Sequence, residues 1–124
     1  MKTSLVITCI LGSSPLFATA EPKIDFVRDV KPILEGTCID CHGPDKAEGK
    51  VRLDTKQAAF ESNGDNPGVT PGDPGNSSVY WTTVEEDDSD LLMPPMKGKK
   101  KKKLTREQTE VLRLWIEQGA AWPE

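Results

Sequence analysis

The pentapeptide Cys38-Ile39-Asp40-Cys41-His42 is the feature that most constrains what this chain can fold into. Two thiols three positions apart lie on one side of a single helical turn, where each can form a thioether with a vinyl group of a haem. The histidine that follows then lies beneath the ring and can give an imidazole nitrogen to the iron. This spacing is the pattern of c-type haem attachment. It predicts one covalent haem c, bound through Cys38 and Cys41, with His42 as an axial iron ligand.

Two other chemistries use cysteines at this spacing. A CxxC pair in an exported chain can close into a redox disulfide, but the surrounding sequence lacks the strand-then-helix pattern of a thioredoxin-like unit. A zinc site requires four ligands, whereas the chain after residue 20 has two cysteines and one histidine, so carboxylates would have to complete it. Covalent haem is therefore the favoured interpretation.

The second axial ligand has to come from another residue type, because His42 is the only histidine in the chain. Methionine is the natural candidate, since a thioether opposite an imidazole raises the reduction potential, as suits an electron carrier. Met93 is favoured because Pro94 and Pro95 fix two successive backbone angles and present it from a stiff segment. Met96 is the second choice, and an open sixth position is the third.

The first twenty residues have the pattern of an export signal. Lys2 gives a positive start, an apolar run extends from Leu5 to Leu11, and Ala18-Thr19-Ala20 forms a small-residue cleavage site. The apolar run is too short to span a membrane. We expect cleavage near Ala20, a periplasmic or otherwise exported location, and no stable membrane insertion of the remaining chain.

Residues 21–124 then form one domain, as expected for this length. The net charge of the whole chain, −4, argues against a general nucleic-acid binder, which would need positive charge to cover phosphates. Only 35% of the residues are hydrophobic, and ten glycines and ten prolines favour irregular backbone. Such a chain has a limited core, so a bound apolar cofactor or a covalent cross-link is expected.

Apolar residues recur at helical spacing near both ends of this domain. After a cap at Asp25 they predict a helix leading into the haem motif, which Pro32 either kinks or begins. Thr105 and Gln108 form a capping-box pair that begins a second helix, and Gly119 ends it. The apolar positions are Phe26, Val27, Val30, Ile33 and Leu34 in the first helix, and Val111, Leu112, Trp115 and Ile116 in the second. We expect the two faces to pack on each other and on the haem edge, with Trp115 as a core residue.

The middle of the domain is predicted to be irregular. Glycines and prolines make residues 62–78 a loop, while residues 79–84 fit either a short helix or a short strand. An acidic run at residues 85–90 and six lysines in Lys97–Lys103 flank the Met93 segment. These charges are either a solvated loop that neutralises itself or a patch that steers the protein toward an acidic redox partner.

Several shorter motifs accompany the haem motif in a fixed order. They are Gly49-Lys50-Val51-Arg52-Leu53-Asp54, Pro71-Gly72-Asp73-Pro74 with Ser77 and Ser78, Met93-Pro94-Pro95, Leu104-Thr105, Trp115-Ile116, Gly119-Ala120 and Trp122-Pro123. In this order they resemble the planctomycete-type cytochrome c domain, a mono-haem, class I-like c-type cytochrome, over roughly residues 24–123. The resemblance implies a mostly α fold whose N- and C-terminal helices pack around one covalent haem, with a long irregular Gly/Pro-rich middle segment. It also implies axial ligation by His42 and Met93, and it suggests that Arg52 lies near a haem propionate; a salt bridge from Arg52 to Asp54 or Glu48 is the alternative.

The function predicted from the sequence is a periplasmic one-electron carrier without a substrate-converting active site of its own. We expect a monomer whose partners are redox proteins, with no role in binding nucleic acid. Two alternatives remain: a haem enzyme or gas-binding sensor with an open sixth iron position, and a haem-free, disulfide-linked interaction module.

Overall fold

The structure, a computed structural model, describes residues 12, 15–16, 19–61, 67–96 and 102–124. Within these ranges the backbone forms helices, short helical turns and loops, with one isolated antiparallel bridge between His42 and Ala47 and no strand. The predicted signal segment lies mostly outside the described residues. Among the residues described, no helix is both long and apolar enough to cross a membrane.

The first helix, α1, consists of three consecutive segments, Phe26–Val30, Lys31–Ile33 and Leu34–Cys38. The carboxylate of Asp25 caps it by accepting the N–H of Arg28 at 2.7 Å. The first and last segments are π-helical: the N–H of Lys31 donates to the carbonyl five residues earlier, and that of Ile39 does the same. Pro32 lies in the first turn of the central α-helical segment, so the helix continues through it with wide turns on both sides.

The last helix, α4, extends over Arg106–Glu117 and begins with the predicted capping box of Thr105 and Gln108. It ends before Gly119, whose φ of +105° is accessible to glycine without strain. Its buried positions include Leu112, Leu114, Trp115 and Ile116, while Val111 is half-buried. The sequence-based prediction of this helix is therefore confirmed, with Leu114 as an additional buried residue.

Helices α1 and α4 pack together through aromatic rings. Phe26 of α1 stacks on Trp122 with ring centroids 4.3 Å apart and contacts Trp115 at 5.7 Å. The indole N–H of Trp115 donates to the carbonyl of Ala121 at 2.9 Å, so its one polar group is satisfied although the side chain is buried. The predicted packing of the two helices and the core role of Trp115 are confirmed. Val27, which was predicted to lie on the packed face, is instead 57% exposed.

Two short helices, α2 (Lys56–Phe60) and α3 (Ser78–Trp81), lie in the middle of the chain, and a 3₁₀ turn, Thr82–Val84, follows α3. Residues 79–84, for which helix and strand were both open, are thus helical. Within the predicted loop at 62–78, residues 62–66 lie outside the described residues, and Pro74–Asn76 forms a 3₁₀ turn. This prediction is confirmed for residues 67–73 and 77, and it is wrong at Ser78, where α3 begins.

The buried hydroxyl of Ser77 organises the loop before α3. It accepts the N–H of Thr70 at 2.8 Å and faces the carbonyls of Asp73, at 2.8 Å, and Thr70, at 3.1 Å, as acceptors for its own proton. The N–H of Gly72 donates to the carbonyl of Ile116 at 2.8 Å, which ties this loop to α4. The loop therefore holds α3 in place against the last helix.

The side chain of Gln118 holds the segment that leads into α1. Its amide group donates to the carbonyl of Pro22 at 2.8 Å, and its amide oxygen accepts the N–H of Ile24 at 2.9 Å. These two hydrogen bonds hold residues 22–24 on the side of the molecule where α4 ends.

Candidate functional site

The pentapeptide that contains both cysteines lies where α1 ends. Cys38 is the last residue of α1, and its carbonyl accepts the N–H groups of Cys41 at 3.2 Å and His42 at 3.0 Å. The two thiols and the imidazole therefore share one helical turn, as the spacing predicts. All three side chains are half-buried.

Residues 46–53, here called the clasp, fold back onto this turn. The N–H of Glu48 donates to the carbonyl of Cys41 at 2.9 Å, and that of Leu53 donates to the carbonyl of His42 at 2.7 Å. The clasp reverses direction at Gly49 and Lys50, whose φ angles are +62° and +60°. Glycine adopts this backbone region without strain, whereas lysine does so at a cost.

The clasp also orients the imidazole of His42. Its Nδ1 lies 3.2 Å from the carbonyl oxygen of Val51, and a hydrogen bond between them requires the proton to be on Nδ1. The lone pair is then on Nε2, which is the arrangement a metal-binding histidine needs, because the bond at Nδ1 fixes both the tautomer and the direction of the ring.

A cavity of about 280 Å³ opens beside this turn. Its walls come from the pentapeptide turn, the clasp, α3 with the turn after it, and the segment around Met93. The apolar side chains among its lining include Val51, Leu53, Val79, Trp81, Leu91, Pro94 and Leu104. A mainly apolar cavity of this kind accommodates an apolar ring and excludes water from it.

The structure separates the two candidate methionines. Met93 is half-buried and lines the same cavity as Cys38, Cys41 and His42, and its N–H is held by the carbonyl of Thr82 at 2.8 Å. Met96 is 51% exposed and borders a different, smaller cavity of about 60 Å³ beside the acidic run.

Arg52 lies outside the lining of the cavity and pairs with a neighbouring carboxylate. Its guanidinium donates to both oxygens of Asp54, at 3.0 and 2.7 Å, and these hydrogen bonds hold the pKa of Asp54 below its ordinary value. The salt bridge considered in the sequence analysis is thus present, while a contact between Arg52 and a haem propionate stays a prediction.

Only the end of the lysine run lies within the described residues, because residues 97–101 are outside them. Lys103 forms an ion pair with Asp87 of the acidic run. At this one point the opposite charges neutralise each other, as the interpretation of a solvated loop predicts.

Several lining residues were not predicted from the sequence to belong to the site. Val79, Trp81 and Thr82 reach the cavity from α3 and the following turn, and Glu48 reaches it from the clasp. A helical assignment of residues 79–84 would have drawn attention to Trp81. No periodicity or motif indicates Glu48, since the fold of the clasp brings it to the cavity.

The residues present fit a covalently bound haem. Two thiols, one oriented imidazole nitrogen and one thioether sulphur line the same apolar cavity. The thiols are the groups that bond to vinyl side chains, and the nitrogen and thioether are a ligand pair of cytochrome iron. Among the described residues, no group of three or more histidine, cysteine or acidic side chains is arranged to bind a metal ion directly.

A family model matches part of the chain. Residues 38–97 match the family model of planctomycete cytochrome C, a span that starts at the first cysteine of the motif and ends just after Met96. The resemblance drawn from the sequence is thereby confirmed for just under half of the chain, a shorter span than the predicted 24–123. No curated protein and no solved structure gives a significant match.

Proposed function

We propose, on the premise that residues 38–97 belong to the planctomycete cytochrome C family, that the protein is a periplasmic mono-haem electron carrier. Cytochromes c bind haem and generally carry electrons, and their domains are generally exported. The proposal adds one haem c, held by thioethers to Cys38 and Cys41, and axial ligation by His42 and Met93.

The observation that carries this proposal is the convergence of four side chains on one apolar cavity. Cys38, Cys41 and His42 reach it from the turn after α1, and Met93 reaches it from a segment fifty residues further along the chain. Haem, when bound, supplies reversible one-electron chemistry at its iron. The carbonyl of Val51 keeps the His42 ring in a ligating orientation, and the apolar lining excludes water, which favours the less charged, reduced state.

The role of Met93 distinguishes a carrier from an enzyme or a gas sensor. A thioether in the sixth position leaves iron no open site for a small molecule, whereas a sensor or enzyme needs one. The backbone hydrogen bond from Met93 to Thr82 supports a fixed position for this residue. Slow binding of carbon monoxide by the reduced protein is therefore expected, and rapid binding would favour the enzyme or sensor.

An exported location is proposed together with removal of residues 1–20. Haem attachment to a CxxCH motif takes place outside the cytoplasm, and the leader-like sequence provides the route there. Redox proteins are the proposed partners, and the lysine run is a proposed steering patch for an acidic one. If so, the rate of association with such a partner falls as salt is added.

The decisive experiment is a visible spectrum, oxidised and reduced, together with the intact mass of the full chain expressed in a host that attaches haem. We expect a reduced c-type spectrum and a mass equal to residues 21–124 plus one haem. A colourless product of that processed mass would contradict both the carrier and the haem-enzyme interpretations and favour the disulfide-linked module.

The two methionines give a matched pair of variants for the axial ligand. Met93→Ala is expected to abolish the long-wavelength methionine-to-iron band of the oxidised protein, because it removes the thioether at the cavity. Met96→Ala, three residues away and outside the cavity, is expected to retain it. The reverse result would show that Met96 is the ligand.

A further inference from the structure

The cavity has one carboxylate among its described lining residues, that of Glu48. The backbone N–H of Glu48 donates to the carbonyl of Cys41 at 2.9 Å, and its carboxylate is hydrogen-bonded to the Cys41 side chain. The carboxylate therefore lies at the end of the cavity where Cys41 and His42 are. A charge at this place acts on any redox centre that these residues hold.

Lys46 neutralises this carboxylate from outside the cavity. Its ammonium group lies 2.8 Å from the carboxylate of Glu48, and both side chains are about half exposed. Lys46 does not line the cavity. The hydrogen bond and charge of Lys46 lower the pKa of Glu48, so both members of the pair are ionised at neutral pH.

The backbone fixes the position of the pair. The carbonyl of Lys46 accepts the N–H of Gly43 at 2.8 Å, and Ala47, between the two charged residues, forms the isolated bridge with His42. The two charges are therefore attached to the same hydrogen-bonded structure that orients the imidazole, and their distances from the cavity differ in a defined order, with Glu48 the nearer.

We propose that the Lys46–Glu48 pair sets the reduction potential of the redox centre, with Glu48 lowering it and Lys46 offsetting that effect; this inference depends on the proposed haem function. When the centre accepts one electron from a donor, its charge becomes more negative by one unit and the donor is oxidised. A nearby carboxylate disfavours that change and a nearby ammonium favours it. The apolar lining strengthens both effects because it reduces dielectric screening, although the exposed sides of the pair weaken them.

Three variants and one control test this assignment in the haem-loaded protein expressed from the full chain. Glu48→Gln, Lys46→Gln and the double variant are each equilibrated with a one-electron redox mediator of known potential, and the ratio of reduced to oxidised protein is measured. Glu117→Gln is the matched control, because it removes a carboxylate from an ion pair on α4, and no residue of that helix lines the cavity.

Opposite shifts are expected from the two single variants. Glu48→Gln raises the reduced fraction, changing the ratio by roughly three- to tenfold, as one partly screened unit charge near the site does. Lys46→Gln lowers the ratio by a smaller factor, the double variant returns to within about twofold of the parent, and Glu117→Gln leaves it unchanged.

Equal ratios in the parent, Glu48→Gln and Lys46→Gln, with intact haem bands, would overturn the inference and leave the proposed function standing. Shifts of both single variants in the same direction would also overturn it, because they would indicate a general change of packing. Should Glu48→Gln fail to mature, Lys46→Gln decides alone, since its side chain lies outside the cavity: a lower ratio supports the inference and an unchanged one rejects it. A protein that carries no haem would contradict the proposed function itself.

Discussion

The end of the molecule where α1 and α4 meet and the side that carries the cavity are both apolar, yet they are completed in different ways. At the helical end, Phe26, Trp115 and Trp122 fill the space between the helices with their own rings. On the cavity side, apolar side chains such as Val51 and Val79 line a space of about 280 Å³. The helical end is filled by its own side chains, while the cavity side leaves space for an apolar group.

The same division is visible in the sequence comparison. The family match covers the pentapeptide turn, the clasp, α3 and the Met93 segment, but not α4. The matched span thus contains the residues around the cavity, whereas α4 and the residues after it lie outside it. If the two regions differ as described, truncating buried rings at the helical end should mainly affect stability, and truncating side chains that line the cavity should mainly affect the haem spectrum.

The largest effect on stability is expected from Trp115→Ala at the helical end. This side chain is 1% exposed, and truncating a buried aromatic residue to alanine costs about 3–5 kcal/mol. Denaturant unfolding of the haem-loaded protein measures the loss. The methionine-to-iron band that the proposed ligation predicts should be retained in the folded variant, and its disappearance would show that the two regions are not separable.

Ser77→Ala should have the next largest effect, in the loop that connects the two regions. It removes the acceptor of the Thr70 N–H, which is 2.8 Å from the hydroxyl, and leaving such a group unsatisfied costs about 1–3 kcal/mol. Because this loop positions α3, a change in the haem spectrum is also expected. The neighbouring Ser78→Ala is the matched control and should cost less than about 0.5 kcal/mol, and an equal loss would contradict the role given to Ser77.

The turn of the clasp offers a pair of variants with opposite expected signs. Lys50→Gly should stabilise the protein by about 0.5 kcal/mol, because relief of the left-handed backbone at φ +60° outweighs the added flexibility of glycine. Gly49→Ala should destabilise it by about 1 kcal/mol, since its Cβ meets no other atom and only the backbone conformation is strained. The midpoints of denaturant unfolding measure both changes in stability. If both variants were stabilised, or both destabilised, this account of the turn would be contradicted.

The smallest effect should be the pH dependence that Asp54 contributes. Hydrogen bonds from Arg52 hold the folded pKa of Asp54 below its ordinary value of 3.8, so its contribution to stability is present above the unfolded pKa. The contribution is lost as the pH falls through the folded pKa. The difference in unfolding free energy between the parent and Asp54→Asn should therefore shrink between about pH 5 and pH 2, and a difference independent of pH would contradict the pairing.

Local signals in the sequence predict much of the helical end. The cap of α1 at Asp25 and the end of α4 before Gly119 were both predicted. Such features are predictable because each depends on a few adjacent residues. Val27 was misplaced because a regular helical period does not anticipate the wide π-helical turns on either side of Pro32. Departures of this kind come from the fit of the whole helix against its neighbours.

On the cavity side, the sequence predicted the residues that could bind a cofactor, but it did not predict which other residues line the cavity. The CxxCH spacing indicates Cys38, Cys41 and His42. The prolines beside Met93 favoured it over Met96 as the axial ligand. Glu48 and Trp81 reach the cavity only because the clasp and α3 fold toward it. Contacts between residues far apart in the chain cannot be read from a single sequence. The order of motifs therefore indicated the cofactor, while the residues that line the cavity could be identified only from the structure.

The hydrogen bonds of Gln118 to Pro22 and Ile24 indicate where the protein can be fused to another domain or attached to a surface. None of residues 21–25 or 118–124 borders the cavity, and the two hydrogen bonds of Gln118 hold residues 22–24 beside the end of α4. A surface linker or a fused carrier domain placed upstream of Pro22 would leave the cavity mouth uncovered. If the proposed function is right, immobilisation on an electrode through that end would leave a haem in the cavity accessible from solution.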